Sequence, residues 1–265
     1  MTMKKEILIG VVILLAAVST GYAQEGELHG SVDATFTSKY IWRGFDIFDD
    51  HAAIHPSVDL DLFGTGFGFS AVGHRANTSG FEAWERWDYT LHYKNALFGD
   101  ESYATQYMLG WVYYNFPDQS SRAYDLQEIH TVLSWPKILP VEGLVPSYVL
   151  VKLWPAEGGS TVGGNASGFA HIFMLDYGLP IEGLLPNVPE QVLRLHSEFV
   201  FNDGVDPRGI GVDHDWSNAV FGISTTIDLG NNLSFTPGFY YQSSWDDSVN
   251  PEDEYWASVG MTYKF

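Results

Sequence analysis

The chain has no cysteine among its 265 residues. It therefore carries no disulfide framework, thiolate nucleophile or cysteine-based metal site. Bases are scarce: 13 Lys and Arg stand against 33 Asp and Glu, a net charge of −20. Nucleic-acid binding needs a basic face to neutralise phosphates, so that partner class is excluded. Charged residues make up only 17% of the chain, low for a water-soluble domain. Past the first two dozen residues, no apolar run approaches the roughly 18 residues of a membrane-spanning helix.

The N-terminus and the aromatic content are what stand out instead. Lys4 and Lys5 precede an apolar run from Ile7 to Val18, and the small residues Gly21 and Ala23 follow. This pattern predicts a secretory signal peptide over 1–23, cleaved after Ala23. Residues 24–265 carry no linker or charge block and are read as a single domain. Aromatics reach 15%, and they recur at every second position, the period of strands with two unlike faces.

The alternation is clearest where Trp87, Tyr89, Leu91 and Tyr93 oppose Arg86, Asp88, Thr90, His92 and Lys94. It recurs with Val32, Ala34, Phe36, Tyr40 and Trp42 against Asp33, Thr35, Lys39 and Arg43. Ile54, Val58 and Leu60 oppose His55, Asp59 and Asp61. Ile129 and Leu133 oppose Glu128 and His130. Leu193, Leu195 and Phe199 oppose Arg194, His196 and Glu198. Two segments, 148–154 and 169–177, are so continuously apolar that their facing is not legible; Lys152 is placed on the polar face. Twelve such strands fit the chain, with ten or fourteen as alternatives. The last, Ser258 to Phe265, sets Val259, Met261, Tyr263 and Phe265 against Ser258, Gly260, Thr262 and Lys264. Gly260, Tyr263 and the terminal Phe265 resemble the C-terminal assembly signal of bacterial outer-membrane barrels.

These features predict an all-β fold, a 12-stranded antiparallel transmembrane β-barrel with lipid outside and a polar interior. Aromatic girdles are expected at the strand ends, with Trp42, Trp111, Tyr113 and Tyr255 on one rim and Tyr93, Trp135, Tyr177 and Tyr263 on the other. The expected lumen-lining residues are Asp33, Lys39, Arg43, His55, Asp59, Asp61, Arg86, Asp88, His92, Glu128, His130, Arg194, His196 and Glu198. Their charges nearly balance, so the excess acidity falls to the outer loops, among them Asp46, Asp49, Asp50, Asp246, Asp247, Glu252, Asp253 and Glu254. An acidic mouth concentrates cations within a Debye length of about 8 Å. The expectation is a porin-like channel for passive diffusion of small polar solutes or ions, with mild cation preference. The alternative is a closed barrel that acts as a structural or surface-interaction protein through its acidic loops. The partners expected are outer-membrane lipid and lipopolysaccharide, the barrel-assembly machinery and small polar solutes.

No enzyme, cofactor or metal is expected. Barrel lipid hydrolases need a His and a Ser two apart on one face, whereas His196 and Ser197 are adjacent and point to opposite faces. His55, Asp59 and Asp61 share a face but read as interior polar residues rather than metal ligands. Leu139 to Pro146 recurs as Leu179 to Pro186, read as a duplicated hairpin turn.

Ser38-Lys39-Tyr40-Ile41-Trp42-Arg43-Gly44, then Ala53 to Asp59, then Gly66-Phe67, resembles the opening of the TorF-type porins, small bacterial outer-membrane barrels whose first hairpin carries a Tyr-x-x-Arg-Gly element. The likeness spans about 40 residues. It implies a barrel and passage of small solutes. Arg43 is expected to pair with Asp59 or Asp61 on the neighbouring strand.

Overall fold

The computed structural model describes residues 27–157, 166–184, 188 and 190–265. The predicted signal peptide and part of the second Leu-Pro turn lie outside the described residues. Twelve antiparallel strands form a closed barrel. They are β1 (His29–Thr37), β4 (Ala53–Asp61), β5 (Phe67–Ala76), β6 (Arg86–Leu97), β7 (Thr105–Asn115), β8 (Leu126–Ser134), β9 (Leu144–Pro155), β10 (Gly168–Glu182), β11 (Glu190–Asp203), β12 (His214–Thr225), β14 (Leu233–Ser244) and β15 (Glu254–Lys264). The short β13 (Ile227–Gly230) continues β12 past Thr226. Two-residue strands β2 (Ile41–Trp42) and β3 (Phe45–Asp46) form a separate hairpin.

Neighbours in sequence are neighbours in the wall. The ring closes where β1 pairs β15, with Ser31 opposite Lys264 and Thr37 opposite Ser258. The terminal Phe265 adds two backbone hydrogen bonds to Gly30, each 3.0 Å. Closure leaves the barrel wall itself without an unpaired edge among the described residues, which is the condition for strands to cross a bilayer.

One parity of each strand is apolar and exposed: Val32 and Phe36, Trp87 and Tyr89, Phe199 and Phe221, Val259 and Met261. In water such an exterior costs about 25 cal/mol per Å² of apolar surface, so it suits a hydrocarbon surround. The other parity points inward. Glycines on that side let rings lie against the wall. His130 lies over Gly110, directly opposite on β7, where an added Cβ would stand 2.2 Å from the imidazole. Tyr240 lies over Gly222 in the same way, at 2.6 Å. Both rings thereby leave lumen space free.

The interior is not uniformly polar. Val112, Tyr114, Leu126, Val151, Leu153, Ala170, Ile172 and Val200 form an apolar core within the barrel along β7 to β11. This core explains the continuously apolar β9 and β10: both faces are apolar, one toward lipid and one toward the core. Their parity then falls opposite to the expectation at one residue. Lys152 faces outward, in register with Phe169, with its Nζ 4.3 Å from that ring.

Candidate functional site

The segment joining β1 to β4, residues 38–52, does not project from the rim as an outer loop. It folds into the barrel mouth. Phe45 and Phe48 are fully buried there, and Tyr40 is nearly so. Tyr40 and Trp42, expected on the lipid face and in the outer girdle, therefore point inward. The reason is that the alternation of β1 stops at Thr37 and a hairpin begins, so parity no longer reports the side of the wall. Trp42 packs edge-on against Tyr114, with centroids 5.8 Å apart.

The hairpin tip is a two-residue turn at Arg43 and Gly44, with φ of 51° and 94°. Positive φ at both central positions is the type I′ geometry that matches strand twist. Arg43 is a non-glycine residue in the left-handed region, which is uncommon. Gly44 has no alternative: a Cβ there would meet Asn218 Oδ1 at 2.6 Å and Val249 Cγ1 at 2.9 Å. The turn drives the Arg43 guanidinium toward β8.

There Arg43 donates two hydrogen bonds to Glu128, at 2.5 and 2.7 Å. Glu128 is 1% exposed and also accepts from Tyr114 Oη at 2.7 Å, with His130 Nδ1 at 3.0 Å. The pairing of Arg43 thus differs from the expectation: Glu128, from the far side of the loop, takes the place of Asp59 or Asp61. Planar guanidinium and carboxylate groups meet as two parallel bonds, and this geometry suits a dry site.

A second network begins one step around the wall. Arg86 donates to Tyr40 Oη at 2.9 Å and pairs with Asp88 at 2.9 Å. His74 Nε2 meets Asp88 at 3.0 Å, His74 Nδ1 meets His55 Nδ1 at 2.9 Å, and His55 Nε2 meets Thr37 Oγ1 at 2.9 Å. Tyr40 stacks on His74 at 4.8 Å between centroids. Arg43 and Arg86 both lie within 4.6 Å of the Trp42 ring centroid. One arginine reaches from loop to wall and the other from wall to loop, and the indole sits between these two anchors.

Other fixings surround these. Lys39 binds Glu254 at 2.6 Å and also contacts Asp50. Glu254, assigned from sequence to an exposed acidic loop, is buried at the first residue of β15. Asp46, Asp50 and Glu254 bring carboxylate oxygens within 4.8 Å of one another, and the Lys39 ammonium binds two of the three, Asp50 and Glu254. Burial pushes the Asp46 carboxyl above its ordinary 3.8, and nearby Glu254 and Asp50 add to that, against backbone N–H bonds from Asp50 and Phe48. Gln242 donates to Gly44 O at 2.9 Å, and Arg208 donates to Asp46 O.

The remaining candidates fall elsewhere. Asp176 binds both Arg194, at 2.8 Å, and His196, at 2.9 Å, and His196 Nε2 stands 3.8 Å from Glu198. Asp33 accepts from Thr35 and Thr262, each 2.7 Å. Asp61 caps the turn at Gly64 N, 2.8 Å. His92 lies over Gly68. His55, bound to Thr37 and His74, does not converge with Asp59 and Asp61 on a metal position. At the closing strand Gly260 is buried, while Tyr263 and Phe265 are exposed. The seated loop was missed by sequence reasoning. Its one signal was the density of large apolar residues, Tyr40, Ile41, Trp42, Phe45, Ile47 and Phe48, in a stretch read mostly as an exposed loop.

Beside the loop a cavity of about 420 Å³ remains. Ile41 to Gly44 form one side; Val149, Ile172, Met174, His196, Glu198, Val220, Tyr240, Gln242 and Trp256 form the other.

Comparison with solved structures finds the same architecture. One match is "NanC porin structure in rhombohedral crystal form", with a TM-score of 0.53 and 11% identity, covering 89% of this chain and 100% of that one. Another is "KdgM porin in complex with disordered oligogalacturonate", with a TM-score of 0.51 and 11% identity, covering 89% and 99%. No protein-family model matches the chain, and no curated protein matches it. At this identity the likeness is one of fold: the chain has the closed β-barrel architecture of outer-membrane porins.

Proposed function

We propose that the protein is a bacterial outer-membrane channel for passive diffusion of small polar solutes or ions, constricted by the inward-folded segment 38–52. The observation that carries this reading is the combination of an apolar exterior with an ion-paired interior, in which a latched loop leaves a solute-sized space beside it. A water-soluble barrel has no use for the first feature, and a solid structural barrel has none for the last. Passage would involve no covalent chemistry; lumen hydroxyls, imidazoles and paired charges would replace part of a solute's hydration. The acidic outer loops favour a mild cation preference. Outer-membrane lipid, lipopolysaccharide and the barrel-assembly machinery are the partners such a barrel requires. The likeness to the TorF-type porins agrees with this reading, and its Tyr-x-x-Arg-Gly element is the segment that seats the loop.

A second reading has one observation in its favour. Tyr40, Phe48 and Trp42 pack into the mouth as a real apolar core, as expected of a closed barrel serving as a surface protein. Planar-bilayer recording separates the two. Steady unitary currents in KCl support the channel, and a reversal potential under a salt gradient reads its cation preference. Consistent silence from correctly folded protein supports the closed barrel.

A further inference from the structure

We propose that the cavity beside the loop is a binding subsite for neutral saccharides of one or two rings. The proposal rests on the channel reading and names its solute class. At about 420 Å³ the space lies within the roughly 300–1,000 Å³ typical of small-molecule sites. Its wall carries an aromatic platform. Tyr240 and Trp256 stack with centroids 5.3 Å apart and planes 13° apart. Gly222 makes the platform possible, since any Cβ there would strike Tyr240. Trp42 faces the same space from the loop.

The polar groups around it are specific. Gln242 is fully buried; its amide nitrogen donates to Gly44 O and Ser244 Oγ, but its Oε1 has no partner. A buried unmatched acceptor is costly until a donor arrives. The charges lining the cavity are already matched: Arg43 by Glu128, and His196 by Asp176 with Glu198 nearby. A charged solute would find no free counter-charge and would lose hydration. A sugar ring meets each condition at once. Its C–H face covers an aromatic surface, its hydroxyl rim donates to an amide oxygen, and it brings no net charge.

The test uses the full-length barrel in detergent micelles and in planar bilayers, with glucose and sucrose as probes. Saturation-transfer NMR should show both sugars bound, with the C–H protons of the ring receiving most of the transfer. Sucrose should reduce single-channel current saturably, beyond its effect on bulk conductivity. Trp256→Ala should raise the half-blocking concentration about tenfold, the scale of one lost ring contact. Trp256→Phe, which keeps a face, should recover most of the affinity, which guards against a variant that merely misfolds. Glucuronate and glucosamine, the same ring with one charge, should bind more weakly than glucose. Normal currents with no saturable sugar effect would overturn the subsite while leaving the channel intact. Tighter binding of glucuronate would overturn the neutral class. If no current is seen, the NMR transfer alone decides: saturable transfer lost in Trp256→Ala supports the subsite, and its absence overturns it.

Discussion

Arg43→Met is the sharpest perturbation of the proposed constriction. The substitution keeps the length and apolar bulk of the stem but removes both hydrogen bonds to Glu128. Glu128, at 1% exposure, is then left with Tyr114 and His130 but no cation from the loop. Breaking one side of a buried pair costs about 3–5 kcal/mol. The barrel has a cheaper alternative, because its walls are fixed by continuous ladders while the loop is held by side chains. If segment 38–52 leaves the mouth, water reaches Glu128 and that cost disappears. The ratio of seated to unseated loop should therefore fall by roughly 10² to a few times 10³, at about 1.4 kcal/mol per factor of ten. Single-channel conductance should rise and become noisier, and amides of residues 40–48 should lose exchange protection. The double substitution Arg43→Met with Glu128→Leu removes both charges from the dry site, so it should restore most of the seating, since apolar replacement of a whole buried pair is often neutral. The reasoning is refuted if Arg43→Met leaves conductance and protection unchanged, or if the double variant is as disturbed as the single.

Gly44→Ala should unseat the same loop by a backbone route, because φ near 94° and the 2.6 Å approach to Asn218 both forbid a Cβ; the expected cost is about 1–3 kcal/mol, read as the same gain in conductance. Acid should tighten the seat through Asp46: its carboxyl is raised in the folded loop, so its contribution is complete below the ordinary 3.8 and lost as pH rises through the raised value. Exchange protection of 40–48, compared with Asp46→Asn at each pH, should show a pH-dependent difference; a constant difference would refute this. Lys39→Met leaves Glu254 buried without its cation and should lower the unfolding midpoint in detergent at neutral pH. Deleting Phe265 removes the two backbone bonds to Gly30 that complete the β1–β15 seam, and should reduce the yield of folded barrel in outer-membrane fractions.

Strand existence and facing were legible because they are local: a side chain's face follows its neighbour's with period 2. Arg86 and Asp88 against Trp87 and Tyr89 needed no partner to be read. The rule weakened where both faces were apolar, which is why Lys152 on β9 was assigned to the wrong side. It gave no guidance past Thr37, where the chain stops being a strand. Tyr40 and Trp42 continue the numerical alternation but belong to a hairpin inside the mouth.

The all-β barrel class and its two chemically distinct faces follow from the sequence alone, since lipid and water act on each strand separately; that the strands number twelve, rather than ten or fourteen, is settled by the β1–β15 closure. Only the tertiary structure decided that residues 38–52 turn inward, that Arg43 meets Glu128 rather than Asp59 or Asp61, and that Tyr240 rests on Gly222. Those pairings depend on cross-strand register and on distances across the lumen. They bring together residues tens to hundreds of positions apart, and no local period encodes them.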